Sequence, residues 1–217
     1  MIGDERLETF LNSMDPELPE ELFLLEQRAL ADHVPIIRRG TRSFLRWLLA
    51  ERRPGRILEI GTAVGFSALF MAWYAPVPVR IVTVEQNERR ISEARKNFAA
   101  AGRQGQITLL EGDAAEILPE LTGPFDMVFM DAAKGQYPSL LPQAKRLLAD
   151  GGILVTDNVL QEGDILESRF AVRRRDRTIH KRMREYLYTL AHDEELICTV
   201  LPVGDGLAVC TVKRKDG

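Results

Sequence analysis

Apolar positions recur at helical spacing through the first quarter of the chain: Leu7, Phe10 and Leu11, then Leu22, Leu25, Ala29 and Leu30, then Phe44, Leu45, Trp47, Leu48 and Leu49. Asp15-Pro16 interrupts the first stripe and Pro54-Gly55 closes the third, so the pattern predicts helices up to about residue 53. The rhythm then changes. Short β-rich runs at 56–60, 80–84, 107–110, 127–130 and 152–156 are separated by helical stretches such as 88–101 and 137–148. Short apolar strands alternating with helices predict βαβ units and a parallel sheet covered on both faces. The end departs from this. Residues 197–201 and 206–212 flank Pro202-Val203-Gly204-Asp205 with no helix between them, which predicts a hairpin and an antiparallel last strand.

The 217 residues are 45% apolar and 28% charged, with a net charge of −3. That predicts one folded domain, which buries roughly 70% of its unfolded surface and needs no disulfide framework or structural metal. Cys198 and Cys210 lie six residues either side of Gly204 and face each other if the hairpin turns there. Cross-strand proximity would permit a disulfide, but a reduced pair of small core residues suits a cytosolic chain better. Residues 1–6 lack an apolar signal-peptide core, and the longest fully apolar run, 68–75, is far short of the roughly 20 residues that span a bilayer. The expectation is a cytoplasmic protein with no membrane segment.

In an open parallel sheet, ligands bind beyond the carboxyl ends of the strands. The first strand is followed by Gly61-Thr62-Ala63-Val64-Gly65-Phe66-Ser67, with Glu59 just before it; glycines there let a backbone approach a ligand or simply pack a helix on a strand. The second ends in Glu85, which could hold ribose hydroxyls or lie in a solvated loop. The third is followed by Gly112-Asp113-Ala114, where an acidic turn could meet an adenine. These features suggest an adenosine-containing ligand. The glycine spacing is G-x-x-x-G, not the G-x-G-x-x-G of dinucleotide sites, and acids close to the pocket favour a cationic ligand such as S-adenosylmethionine.

The fourth strand ends in Asp131, with Lys134 three residues on, and the fifth in Asp157-Asn158. Asp131 alone could be a helix cap. Two carboxylates and an amide at neighbouring strand ends form a hard oxygen set suited to Mg²⁺ or another divalent ion such as Mn²⁺, and softer ligands that would indicate zinc are missing.

With these motifs, residues 56–212 resemble the class I S-adenosylmethionine- and metal-dependent O-methyltransferases of the catechol and caffeoyl-CoA type. The resemblance implies a Rossmann-like α/β fold whose seven-stranded, mostly parallel sheet ends in an antiparallel strand. It assigns residues 54–217 to a methyltransferase domain and 1–53 to a helical N-terminal segment that serves as cofactor lid and possible homodimer contact. It implies Asp131, Asp157 and Asn158 as metal ligands and Lys134 as general base beside Asp131. Glu85 would hold the ribose, Gly61, Gly65 and Ser67 would line the methionine end with Glu59 nearby, and Asp113 and Ala114 would flank the adenine. Ile37, in Val34-Pro35-Ile36-Ile37, would be a lid contact.

Such a metal requires adjacent acceptor oxygens, which catechols, caffeoyl esters and 5-hydroxyuridine all offer. Residues 173–184 carry seven Lys/Arg in twelve positions, including Arg173, Arg174, Arg175, Arg177, Lys181 and Arg182, and Arg38, Arg39, Arg42 and Arg46 form a second basic group. Local positive charge near an active site suits a phosphate backbone or a coenzyme A thioester, although charge runs are usually solvated, paired helix faces. Val159-Leu160, the segment 173–181, the region of Tyr186 and the segment 202–207 resemble the bacterial tRNA 5-hydroxyuridine methyltransferases. That implies methylation of wobble 5-hydroxyuridine in tRNA to 5-methoxyuridine; a small-molecule catechol or caffeoyl-CoA-type enzyme is the alternative, and a non-catalytic RNA-binding module conflicts with the intact acids and Lys134.

Overall fold

The computed structural model describes residues 5–168 and 170–214, so the first four residues of the opening segment lie outside it. Three helices come first: α1 (Glu5–Ser13), α2 (Glu20–Ala31) and α3 (Arg39–Arg52). Then follow β1 (Arg56–Ile60), α4 (Phe66–Tyr74), β2 (Arg80–Glu85), α5 (Glu88–Ala100), β3 (Ile107–Glu111), α6 (Ala114–Glu120), β4 (Phe125–Met130), α7 (Tyr137–Leu147), β5 (Leu148–Thr156), α8 (Arg177–His192), β6 (Leu196–Leu201) and β7 (Leu207–Val212). Short 3-10 turns at Lys134–Gln136 and Gln161–Leu166 follow β4 and β5.

The seven strands form one sheet in the order β3-β2-β1-β4-β5-β7-β6. β1 to β5 are mutually parallel, and β7 runs antiparallel to both β5 and β6. The expected hairpin and antiparallel last strand are both present. The order reverses between β1 and β4, which places a topological switch point, and hence the default ligand crevice, above those two strands.

Alternation along the strands explains the layering. Ile57, Ile81, Met127, Phe129, Ile153 and Val155 point to one face, into a core shared with Leu22, Leu25, Leu45, Leu48 and Leu49 of α2 and α3 and with α4 and α5. Leu58, Ile60, Val84, Val128, Met130 and Leu154 point to the other, against α6, α7 and α8. Each such apolar chain contributes about 1.5–3 kcal/mol on burial, which is why the strand runs are mostly apolar, with Glu59 and Thr83 as buried polar exceptions. Helix α4 is buried on nearly every side from Phe66 to Ala72, so the apolar run at 68–75 is a core helix. The α1 stripe instead lies at the surface, with Phe10 exposed.

Two expectations need correction. β5 begins at Leu148, four residues before the predicted run, because Leu148 pairs with Phe125 ahead of a register irregularity. Cys198 and Cys210 are joined in a disulfide, not reduced. Antiparallel register sets them directly opposite each other, 4.1 Å apart at Cα, the close spacing of a facing cross-strand pair. Among the described residues, no helix is long and apolar enough to cross a membrane.

Candidate active site

Backbone pairing continues one residue past the strands and levels their ends. Gly112 N donates to Glu85 O, Gly61 N to Val84 O, Asp131 N to Ile60 O and Asp157 N to Met130 O, all at 2.9–3.0 Å. The residues that follow β3, β1, β4 and β5 therefore stand in one row across the top of the sheet. Gly61 is required there: it has φ +103°, and a Cβ would run into the Asp131 carbonyl. The row floors a cavity of about 470 Å³. Its walls come from the segment before α3 (Pro35, Ile36, Ile37, Arg38), the α4 entry (Phe66, Ser67), α5 (Arg90) and the turns after β4 and β5.

At the β2 end, Glu85 is fixed by the backbone. Its Oε2 accepts from Ala63 N at 2.9 Å, and its Oε1 from Gln86 N and Asn87 N at 3.0 and 2.9 Å. Three N–H donors hold the carboxylate in one rotamer at the cavity wall. Ala114 also lines the cavity, whereas Asp113 does not. Asp113 caps α6 by accepting from Ala115 N at 2.8 Å. Gly65 likewise lies behind the wall, where its φ of +84° starts α4 and a Cβ would strike the Phe98 ring. Glu59 is fully buried beneath the floor. Thr83 Oγ1 donates to its Oε2 at 2.5 Å, its Oε1 has no hydrogen-bond partner, and burial pushes its pKa up to about 8.

At the β4–β5 end the acids gather. Asp131, Lys134, Asp157 and Asn158 all line the cavity. Burial raises the pKa of both aspartates, and the Asp131 charge raises Asp157 further, while Lys134 and Arg90 oppose the rise at Asp131. Asp157 Oδ1 accepts from Asn158 N at 2.7 Å and is 3.5 Å from Thr41 Oγ1, but Oδ2 has no partner. Asn158 holds φ +59°, a conformation asparagine tolerates better than most residues. Among the described residues no three of His, Cys, Asp and Glu converge as a metal cluster. The oxygen set on offer is two carboxylates and one amide. A buried and a partly buried carboxylate that repel each other, one with an unpartnered oxygen, fit a small divalent cation.

Asp205, in the β6–β7 turn, was not singled out from sequence. It is buried, its Oδ2 lies 3.3 Å from Lys134 Nζ, and its Oδ1 accepts from Glu162 N at 2.5 Å. Asp205 O and Gly206 O take Leu160 N and Val159 N, lacing the hairpin turn to the loop that carries Asp157 and Asn158. The available signal was an acid between two glycines at the turn, but nothing in the linear pattern says that the turn folds back over the strand ends.

The basic groups are more neutralised than their sequence suggests. In the second cluster, Arg42 pairs with Glu26 at 2.8 Å in a buried bridge, Arg46 with Asp15 at 3.3 Å and Arg38 with Glu162 at 2.9 Å. In the main run, Arg175 pairs with Asp176 and Lys181 with Glu185 at 3.5 Å. Arg177 donates to the carbonyls of Val172 and Phe170. None of Arg173, Arg174, Arg175, Arg177, Lys181 and Arg182 lines the cavity, but Arg182 reaches Gly135 O at 3.0 Å, one residue from Lys134.

The strand order and the crevice above β1 and β4 define a Rossmann-like methyltransferase fold. The Streptomyces achromogenes O-methyltransferase TomG, solved in complex with S-adenosylmethionine and involved in tomaymycin synthesis, superposes with a TM-score of 0.83 at 28% identity, covering 98% of this chain and 100% of that one. The chain is 35% identical to a catechol O-methyltransferase of Mycobacterium tuberculosis over 75% of its length and 74% of the relative's. It is 38% identical to one of Niastella koreensis over 57% of its length and 58% of that relative's. The O-methyltransferase family model matches residues 14–214, and the chain belongs to that family.

Proposed function

We propose that the protein transfers the methyl group of S-adenosylmethionine to one of two adjacent oxygens on a small catechol-type acceptor, with Asp131, Asp157 and Asn158 holding a divalent ion, Mg²⁺ or Mn²⁺. The observation that carries this is the pair of aspartates at neighbouring strand ends, Asp157 buried with an unpartnered oxygen and Asp131 partly buried beside it, facing a cavity that Glu85 closes at the far end. Glu85 is placed to accept the ribose hydroxyls, Ala114 to border the adenine, and Ile37 to cover the donor. Glu59 lies under the methionine end as a buried carboxyl, held uncharged in the ligand-free protein, which a sulfonium or ammonium above it would favour in its ionised form. A bound divalent ion would supply the positive charge that lowers the pKa of an acceptor hydroxyl.

Lys134 Nζ, held by Asp205, is the group that takes the acceptor proton, in its neutral amine form, as the oxygen attacks the methyl carbon and S-adenosylhomocysteine leaves. The row of strand-end residues would hold donor and acceptor in line, and such positioning can account for several kcal/mol of a barrier. The N-terminal segment from Pro35 to Arg38 covers the cavity and excludes water.

Arg182 beside Gly135 and the basic stretch before it favour a second reading, in which the acceptor is 5-hydroxyuridine in tRNA. One assay decides between them: transfer of labelled methyl from S-adenosylmethionine, with Mg²⁺, to catechol, caffeoyl-CoA and tRNA containing 5-hydroxyuridine. Labelling of catechols alone supports the first reading. Labelling of the tRNA that is lost on replacing Arg173 and Arg174 by alanine supports the second. Undiminished turnover in excess chelator refutes the role given to Asp157.

A further inference from the structure

The cavity wall contains one ion pair that is neither buried nor tied to the proposed chemistry. Arg38 and Glu162 both line the cavity and meet at 2.9 Å, with side chains 43% and 76% exposed. Their backbones are fixed. Arg38 O accepts from Arg42 N at the start of α3, and Glu162 N is held by Asp205 Oδ1. The pair stands at the β5 end of the cavity: Thr41, one helical turn beyond Arg38, reaches Asp157, and Glu162 follows Asp157 and Asn158 on the same loop. The other two cations in the wall are differently placed, Lys134 against Asp205 and Arg90 on α5, where its charge acts on Asp131. An exposed ion pair contributes little, about 0–1 kcal/mol, so a stronger anion can take the place of Glu162.

We infer that Arg38 is an anion-binding residue of the acceptor site and that Glu162 is its stand-in when no acceptor is present. The inference rests on the vicinal-dioxygen reading above and narrows it: the preferred acceptor carries an anionic oxygen group, carboxylate or phosphate, beyond the ring that presents the two oxygens. Guanidinium binds either anion through paired N–H donors. Glu162 serves specificity by repelling the same anion until Arg38 releases it, so the two residues act with opposite sign.

The test compares matched acceptors with Arg38→Gln and Glu162→Gln variants: 3,4-dihydroxybenzoate against catechol, and 5-hydroxyuridine 5′-monophosphate against 5-hydroxyuridine. A charge-assisted contact corresponds to about tenfold in affinity. Arg38→Gln is expected to raise the anionic-to-neutral KM ratio about tenfold, and Glu162→Gln to lower it. The pair in which the ratio moves identifies carboxylate or phosphate as the group bound. Calorimetric titration of the anionic acceptor into protein carrying S-adenosylhomocysteine should give the same order of Kd values without turnover. A ratio unmoved by Arg38→Gln, or moved the same way by both variants, overturns the inference and leaves the methyltransferase reading standing. Failure of the unaltered protein to methylate any of the four acceptors overturns both.

Discussion

Replacing Glu59 by glutamine should stabilise the ligand-free protein at alkaline pH, and the structure gives the size. Glu59 is fully buried, accepts one hydrogen bond from Thr83, and has one oxygen without a partner. Burial, aided by the charges of Asp131 and Glu85, raises its pKa from 4.5 to about 8. Between those values the folded state keeps a proton that the unfolded state has released, so stability falls as pH rises through that window. Each pKa unit corresponds to about 1.4 kcal/mol, which sets a loss of about 4 kcal/mol between pH 5 and 8.5; water entering from the cavity above would reduce it toward half. Glutamine keeps the shape and an oxygen for Thr83 but does not ionise. The assay is urea denaturation of both proteins at the two pH values, with EDTA present and no methyl donor. Asp131 and Asp157 are also pushed up, but they titrate in both proteins and largely cancel in the difference. The stability gap, glutamine variant minus native, should widen by about 2–4 kcal/mol from pH 5 to 8.5. A gap that stays constant, or that narrows as pH rises, would refute the claim that Glu59 is held uncharged by burial.

Asp157→Ala should abolish turnover and Mn²⁺ binding while leaving the circular dichroism spectrum native; retained Mn²⁺ affinity in a direct titration would remove Asp157 from the ion site. Lys134→Ala should lower kcat by about 10²–10⁴-fold, the usual worth of a general base, with Mn²⁺ affinity kept, and loss of both would mean that the lysine is structural. Gly61→Ala forces a Cβ against the Asp131 carbonyl at a positive φ. It should cost about 2–4 kcal/mol in denaturant midpoint analysis and reduce kcat, since a strand-end shift near 1 Å is worth about 10²-fold; a variant of native stability and rate would show that the row of strand ends tolerates displacement.

The sheet was legible because both of its faces are buried. Runs such as Ile57 to Ile60 and Met127 to Met130 carry apolar or shielded residues without a gap, and the residues that end them, Glu85, Asp131 and Asp157, follow at fixed positions. Once parallel pairing is granted, those acids must stand in a row, so the cavity floor could be read directly. Boundaries governed by pairing were less visible. Leu148 belongs to β5 only because Phe125 meets it, and the early residues of that strand, Ala149, Asp150 and Gly151, look like a turn. The cysteine pair shows the same limit: hairpin register sets Cys198 opposite Cys210, and composition says nothing about the bond.

Side chains whose meaning depends on distant partners were misweighted in both directions. Arg42 and Arg46 read as free positive charge, yet Glu26 and Asp15, from a different helix and the loop before it, neutralise them. Asp113 and Gly65 sit at motif positions and also serve α6 and α4, as cap and packing residue, which the motif alone did not show. Asp205 is the converse. It contacts Lys134, the Glu162 backbone and, through its carbonyl, Leu160 on the loop that follows Asp157, across 71, 43 and 45 positions of chain, and none of those separations has a periodicity to betray it. Such a residue is costly to bury and is compensated only when every partner is in place. The turn that carries it is therefore a part of the site: displacing Asp205 would release Lys134 and unfasten the loop after Asp157 together. The arrangement accounts for an antiparallel β7 beside β5. Running against its neighbours, β7 starts at the end of the sheet where the parallel strands finish, and so delivers its leading turn to the cavity.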